Sequence, residues 1–394
     1  MRIAVDATCW HNRRGYGRHA RALLRAVVRL DAENQYTLFL DSTDPAEPMP
    51  EGCEVRVNES SVPTVEAASA DGHRSLSDMA RQARALSSNE FDVLLFPTIY
   101  SFVPTFGRAR KLVMMHDVIA DMFPALTVPK WSSRLFWNLK VALGRWQADA
   151  LITVSNYSRD CIVKHFGTDA KRVSVVSEAA DPIFRRLEDA APTAKLRELG
   201  LDGSRRMVVY LGGFSPHKNL EALVTSFARA AKREDAGDPM LVMVGDTKTD
   251  AFHTIFERVS GLVESLGIKD RVVFTGYLSD EDVVALLNRA TVLVLPSLME
   301  GFGLPAVEAA ACGCPVIATK ESPLPELLGE GGIYIEPNEE AISTALERVL
   351  ADDELRARMR EFGMAAAQRL TWDDAGRQLI AVINKAGHGN GRAR

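Results

Sequence analysis

A rhythm that starts twice constrains this chain more than any other feature. Short runs rich in Val, Leu and Ile alternate with longer stretches of helical periodicity. In the first half the strand candidates lie at 2–7, 36–40, 93–96, 112–115, 150–154 and 173–176, with helical stretches such as 18–30 and 132–147 between them. The second start runs through 207–211, 240–244, 272–275, 292–295 and 315–318. Strands that are apolar on both faces suit parallel sheets covered by helices on both sides. The stretch 179–204, with Pro182, Pro192 and alternating charge, breaks the rhythm and reads as a linker plus a first short helix. The expected architecture is α/β, with two Rossmann-like domains facing a central cleft. Residues 1–185 form the first domain and 186–370 the second. Residues 371–394 return to the first domain as a helix and end in a disordered tail.

Charge and cysteine usage exclude several classes. The net charge of −5 argues against general nucleic-acid binding. Residues 1–186 carry 24 basic and 21 acidic side chains, and the remainder 23 and 31, so the first half is the more basic. Cys9, Cys53, Cys161, Cys312 and Cys314 are scattered and odd in number, which excludes a disulfide framework. Cys312 and Cys314 form a C-x-C with no second ligand pair at zinc spacing, and read as small buried residues. No apolar run approaches the roughly 20 residues of a membrane span. The N-terminus enters a strand directly, so the expected compartment is the cytoplasm.

Gly15-Tyr16-Gly17-Arg18-His19-Ala20 fits the G-x-G-x-x-A pattern of dinucleotide sites. Such a fingerprint places its first glycine directly after the strand, whereas here residues 8–14 intervene. A glycine hinge, a loop against phosphate or acceptor, and a nicotinamide site are the three readings open to it.

The strongest chemical signal is Leu295-Pro-Ser-Leu-Met-Glu300-Gly301-Phe302-Gly303-Leu304-Pro305-Ala-Val-Glu308, running on to Gly313. A strand ends at Pro296, Pro305 fits the first turn of a helix and Gly313 its C-terminal cap. The amides of Gly301, Phe302, Gly303 and Leu304 then gather at a helix N-terminus, which favours phosphate. Glu308 is expected on the helix's first turn and Glu300 just ahead of it. Two carboxylates flanking a diphosphate pocket accept hydrogen bonds from sugar and ribose hydroxyls.

The run EGFGLPAVEAAACGCPVIAT resembles the E-x7-E motif of the retaining GT-B glycosyltransferases of family GT4, with Glu300 and Glu308 on its two glutamates. Val209-Tyr-Leu-Gly212-Gly213-Phe-Ser-Pro-His217-Lys218-Asn219 resembles that family's phosphate-binding turn, and Thr153-Val-Ser155-Asn-Tyr-Ser158 its strand-end loop. His116-Asp117 sits where the family places a histidine facing the donor sugar. Gly15-Tyr-Gly17-Arg18 resembles the glycine loop of mannosyltransferase-like members. One departure is Gly213, where many members carry an arginine; His217 or the backbone at 212–213 is expected to compensate in part.

The resemblance implies a metal-independent, retaining hexosyltransferase without a cofactor, using a nucleotide sugar, GDP-mannose by preference. The acceptor is a saccharide or lipid-linked saccharide in polysaccharide or glycolipid synthesis. Lys218 and the helix amides would stabilise the leaving diphosphate. Glu300 would hold the sugar, Glu308 the ribose, and His116 would orient the sugar. Gly15, Gly17, Ser155, Gly212 and Gly213 would line the donor, with Tyr277 and Leu278 beside the base. Ser155 equally reads as a helix cap. The D-x-D at Asp280 and Asp282 reads as a capping box behind Ser279 rather than a metal site. A UDP-GlcNAc 2-epimerase-like enzyme on the same fold and a non-catalytic nucleotide-sugar-binding subunit are the alternatives. The stretch 130–146, with three Trp and four cations, reads as an amphipathic core helix, the alternative being peripheral contact with the inner membrane face. The Arg18, Arg21, Arg25 and Arg29 stripe reads as a solvated face.

Overall fold

The computed structural model describes residues 1–12, 15–43, 47–60, 75–246 and 254–388. The chain divides into two compact units, Met1–Glu178 with Thr371–Arg394, and Ala179–Leu370.

Among the described residues, the first unit carries a seven-stranded sheet. Its strands are β1 (Arg2–Asp6), β2 (Gln35–Leu40), β3 (Glu54–Val57), β4 (Val93–Phe96), β5 (Arg110–Met114), β6 (Ala150–Thr153) and β7 (Val173–Val175). They pair in the order β3-β2-β1-β4-β5-β6-β7, all in parallel. Ile3, Val5, Leu38, Leu95, Leu112 and Ile152 are buried in its core, as expected of strands covered on both faces. The helix Trp372–His388 supplies Ala375, Leu379 and Ile383 to that core. Their spacing of four residues puts them on one helix face. This face meets the helix Gly15–Leu30, where a Cβ added at Gly376 would stand 3.1 Å from Leu30.

The arginine stripe on Gly15–Leu30 is solvated at Arg25 and Arg29, which are exposed, but not at Arg21. Arg21 is buried and donates to the backbone oxygens of Trp10 and Asn12, Arg25 donates to Pro48 O, and Arg29 pairs with Asp373. The acceptors come from the turn after β1, the segment between β2 and β3, and the helix Trp372–His388.

The second unit repeats the plan in the described residues. Its strands are β8 (Met207–Leu211), β9 (Met240–Val244), β10 (Val272–Gly276), β11 (Val292–Leu295), β12 (Val316–Thr319) and β13 (Gly332–Ile335). Their order is β10-β9-β8-β11-β12-β13, again all parallel. Both units are therefore Rossmann-like. The strand order reverses between β1 and β4 in one and between β8 and β11 in the other, and the carboxyl ends of strands at such a point form a ligand crevice.

The helix Trp131–Gln147 corrects the core reading. It buries Val141 and Gly144, while Trp131, Leu135, Phe136, Leu139 and Trp146 stay exposed. Two of its cations turn inward instead: Lys140 donates to Tyr100 O at 2.9 Å, and the Arg145 guanidinium lies over the Phe166 ring.

Candidate functional site

In the second unit the reversal point brings the loops after β8 and β11 together. After β8 the chain passes Gly212 and Gly213 into a single 3-10 turn, Pro216–Lys218. Asn219 then adopts a left-handed conformation with φ of 57°, which asparagine tolerates better than most residues. Its side-chain amide donates to Pro296 O at 3.1 Å and to Pro337 O at 2.9 Å. The Leu298 N–H donates to His217 O at 2.9 Å. Stapled in this way, the turn aims Lys218 at Glu300, with Nζ 2.8 Å from Oε1. The Ser297 hydroxyl donates to the same oxygen at 2.6 Å.

Two electrostatic consequences follow. Burial alone would raise the Glu300 carboxyl, but Lys218 and Ser297 outweigh it and hold Glu300 below the ordinary carboxylate range. His217 is pushed down to about 3 by burial and by the adjacent Lys218 charge. Its ring is therefore neutral and supplies no cation in place of an arginine at Gly213, contrary to the compensation expected from sequence. The Tyr210 hydroxyl donates to Gly213 O, which fixes the glycine turn.

Beyond Glu300 the loop 301–303 leads into the helix Leu304–Ala311. Gly303 is its N-cap at φ 85°, and a Cβ there would stand 2.8 Å from Leu324. Both the backbone conformation and the lack of space require glycine. Gly303 caps the helix, so Leu304 is its first residue and Pro305 lies in the first turn, as expected. Glu308 therefore lies on the second turn, not the first, and is buried. Gly301 and Phe302 are buried as well. Tyr277 and Leu278 follow the left-handed Gly276 at the end of β10; Tyr277 is exposed and Leu278 buried. Ser279 and Asp282 form a capping box, and Thr193 donates to Asp282, so these acidic residues serve the helix start. Cys312 and Cys314 are buried, and burial pushes the Cys312 thiol up to about 12.

In the first unit Gly15 opens the helix Gly15–Leu30 and is exposed. Gly17 is buried, and a Cβ added to it would lie 2.0 Å from Asn12 O. Its immediate role is thus close packing against a backbone turn. Ser155 caps the helix Asn156–Phe166, its Oγ accepting from the Ser158 N–H at 3.0 Å. His116 stands just beyond β5, with Nε2 3.0 Å from Pro97 O and Nδ1 3.5 Å from Glu178 Oε1. His19 packs edge-on against His116 with ring centroids 4.6 Å apart, and its Nε2 is 3.8 Å from the same Glu178 oxygen.

His19 and Glu178 were not singled out from sequence. Glu178 follows an apolar strand just as His116 does, which was the available signal. His19 was hidden inside the dinucleotide-like pattern. The donor atoms of His19, His116 and Glu178 lie within 4.8 Å of one another. His19 Nδ1 has no hydrogen-bond partner among the described residues.

The chain matches the family described as Glycosyl transferases group 1 over residues 193–365, and Glycosyltransferase Family 4 over residues 13–183. Each Rossmann-like unit thus resembles one of these two glycosyltransferase families, and the chain is related to both. Among its relatives, the O-antigen chain mannosyltransferase B of Escherichia coli is 29% identical over 238 residues, which is 59% of this chain and 60% of that protein. The D-inositol 3-phosphate glycosyltransferase of Corynebacterium glutamicum (strain R) is 30% identical over 244 residues, 61% of this chain and 58% of that one. The chain therefore spans less than two thirds of the length of these relatives. The sucrose-phosphate synthase structure from Thermosynechococcus elongatus aligns with a TM-score of 0.77 at 20% identity, covering 98% of each chain, and so shares the fold.

Proposed function

We propose that this protein is a retaining, metal-independent hexosyltransferase that moves mannose from GDP-mannose to a saccharide or lipid-linked saccharide acceptor. The observation that carries the reading is the convergence of Lys218, Glu300 and the N-terminus of the helix Leu304–Ala311 at the second sheet's reversal point. A diphosphate bound there meets the positive end of a helix and an ammonium group. Lys218 then exchanges its Glu300 contact for the leaving phosphate, and Glu300 is released to accept from sugar hydroxyls. Glu308 is assigned to the ribose. Mannose is favoured by the Gly15–Arg18 resemblance and by a relative named as a mannosyltransferase. No protein base is assigned, the leaving phosphate being the group that receives the acceptor proton.

The proposal places the enzyme in the cytoplasm, in peripheral contact with the inner membrane face through the helix Trp131–Gln147. Its exposed Trp131, Leu135, Leu139 and Trp146 share a helix side that bears no Asp or Glu. This matches an interfacial helix.

The test is transfer from GDP-mannose to a panel of saccharides and lipid-linked saccharides in the presence of EDTA, with the anomeric configuration of the product read by NMR. An α-linked product from the α-linked donor is expected. A β-linked product, or an absolute requirement for added divalent metal, would overturn the assignment.

A further inference from the structure

The carboxyl edge of the first sheet gathers around His116 three groups that the donor reading leaves unused. His19 comes from the helix after β1, Pro97 follows β4, His116 follows β5 and Glu178 follows β7. Four connections thus converge on one imidazole. The two ring nitrogens of His116 face Pro97 O at 3.0 Å and Glu178 Oε1 at 3.5 Å. A backbone carbonyl and an ionised carboxylate are both acceptors, whereas a neutral imidazole has one N–H and one lone pair. A neutral ring beside a charged Glu178 would set a lone pair against an acceptor at one of its two contacts.

The surroundings decide where the proton resides. Asp117 follows His116 directly and adds negative charge, so two carboxylates favour the cation. Burial disfavours it, but Glu178 and Pro97 O reverse that effect, and His116 is held above the ordinary histidine range. His19 is buried, held well below that range by burial and then by His116, and makes no hydrogen bond at either nitrogen among the described residues. It packs as a neutral ring between His116 and Trp372, at centroid distances of 4.6 and 5.6 Å. Water is thereby excluded from that side, and the attraction between His116 and Glu178 is poorly screened.

We propose that Glu178 is a positioning residue that keeps His116 as an imidazolium, fixing a positive charge at the carboxyl edge of the first sheet. Both N–H groups are committed to the protein, so His116 acts through its charge rather than as a hydrogen-bonding arm. The charge assignment stands on geometry; its consequence for transfer rests on the function proposed above.

The experiment is a pH titration of the full chain labelled with 15N-histidine, followed by NMR, with His116 assigned by loss of its signals in His116→Asn. At pH 6.5, the ordinary histidine midpoint, most molecules are expected to carry protons on both His116 nitrogens while His19 shows one bare nitrogen. In Glu178→Gln the His116 midpoint should fall by roughly one pH unit or more, and Glu178→Asp should restore most of it. An unprotonated Nδ1 in the wild type, the sign of a proton held on Glu178 instead, overturns the proposal without any variant. So does an unchanged midpoint in Glu178→Gln. In the transfer assay the active cation predicts that kcat falls as pH rises through the His116 midpoint, and that Glu178→Gln moves this fall to lower pH. A kcat profile that stays put while the NMR midpoint moves overturns the role in transfer. Absence of any transfer by the wild type counts against the proposed function, and the NMR result still decides the charge.

Discussion

Lys218 and Glu300 lie 82 residues apart in sequence and meet at 2.8 Å. The pair links the proposed phosphate contact to the proposed sugar contact, so neither is independent of the other. Lys218→Ala should lower kcat/KM by about 10²-fold, the scale of losing one charged donor at a developing anion. The substitution also leaves the buried Glu300 carboxylate without its ammonium, so the melting temperature should fall, and turnover is read well below it. Wild-type turnover in this variant would remove Lys218 from the mechanism. His217 offers a separate test. Its value in the folded chain, about 3, lies below its ordinary 6.5. Its neutral form therefore contributes fully above about pH 6.5, and that stability is lost as pH falls toward about 3. His217→Gln should flatten the decline in melting temperature between about pH 6.5 and about pH 5; an unchanged slope contradicts the burial argument. At this scale the sequence was legible wherever a residue sat inside a dense motif, as Glu300 and Lys218 do. It was not legible for Glu178 and His19, whose significance arises only when separate strand ends meet. The compensating role expected of His217 failed because burial, which a sequence pattern does not display, keeps its ring neutral.

The elements that escaped notice in the sequence share a cause. β3, with the sequence EVRV, and β13, with GIYI, are both edge strands and are only partly covered. β3 alternates charge with valine and β13 opens on glycine, so neither writes the continuous apolar run that let the edge strands β7 and β10 be read. The helix Gly15–Leu30 begins three residues earlier than its apolar period suggested, at the glycines read as a loop. Gly17→Ala should destabilise the first unit by about 1–3 kcal/mol, because its Cβ would meet the Asn12 carbonyl. Gly15→Ala, with nothing within 4 Å of its Cβ, should be neutral or mildly stabilising. Urea denaturation of the two variants separates these outcomes. The helix Trp131–Gln147 makes its own prediction. The protein should co-sediment with vesicles containing phosphatidylglycerol, and the combined Trp131→Ser, Leu135→Ser and Leu139→Ser variant should lose roughly tenfold or more in affinity. Equal binding by the variant would leave the exposed face without a membrane role.

Across the whole molecule, the repeated rhythm was the most readable feature, because parallel strands buried on both faces write their positions directly into the apolar pattern. That pattern gives two Rossmann-like units, and their reversal points are where strand-end loops collect functional side chains. A donor held by Lys218, Glu300 and the helix Leu304–Ala311 binds the folded second unit and not the unfolded chain, so it must raise stability by mass action. At 100 times its dissociation constant the gain is about 2.7 kcal/mol. The most direct measurement is thermal melting in EDTA with GDP-mannose, UDP-glucose, UDP-GlcNAc, dTDP-rhamnose and NAD, for the wild type and for Lys218→Ala. The account predicts a shift with GDP-mannose in the wild type that is lost in Lys218→Ala. A shift with NAD alone, or a GDP-mannose shift undiminished by the substitution, would contradict it.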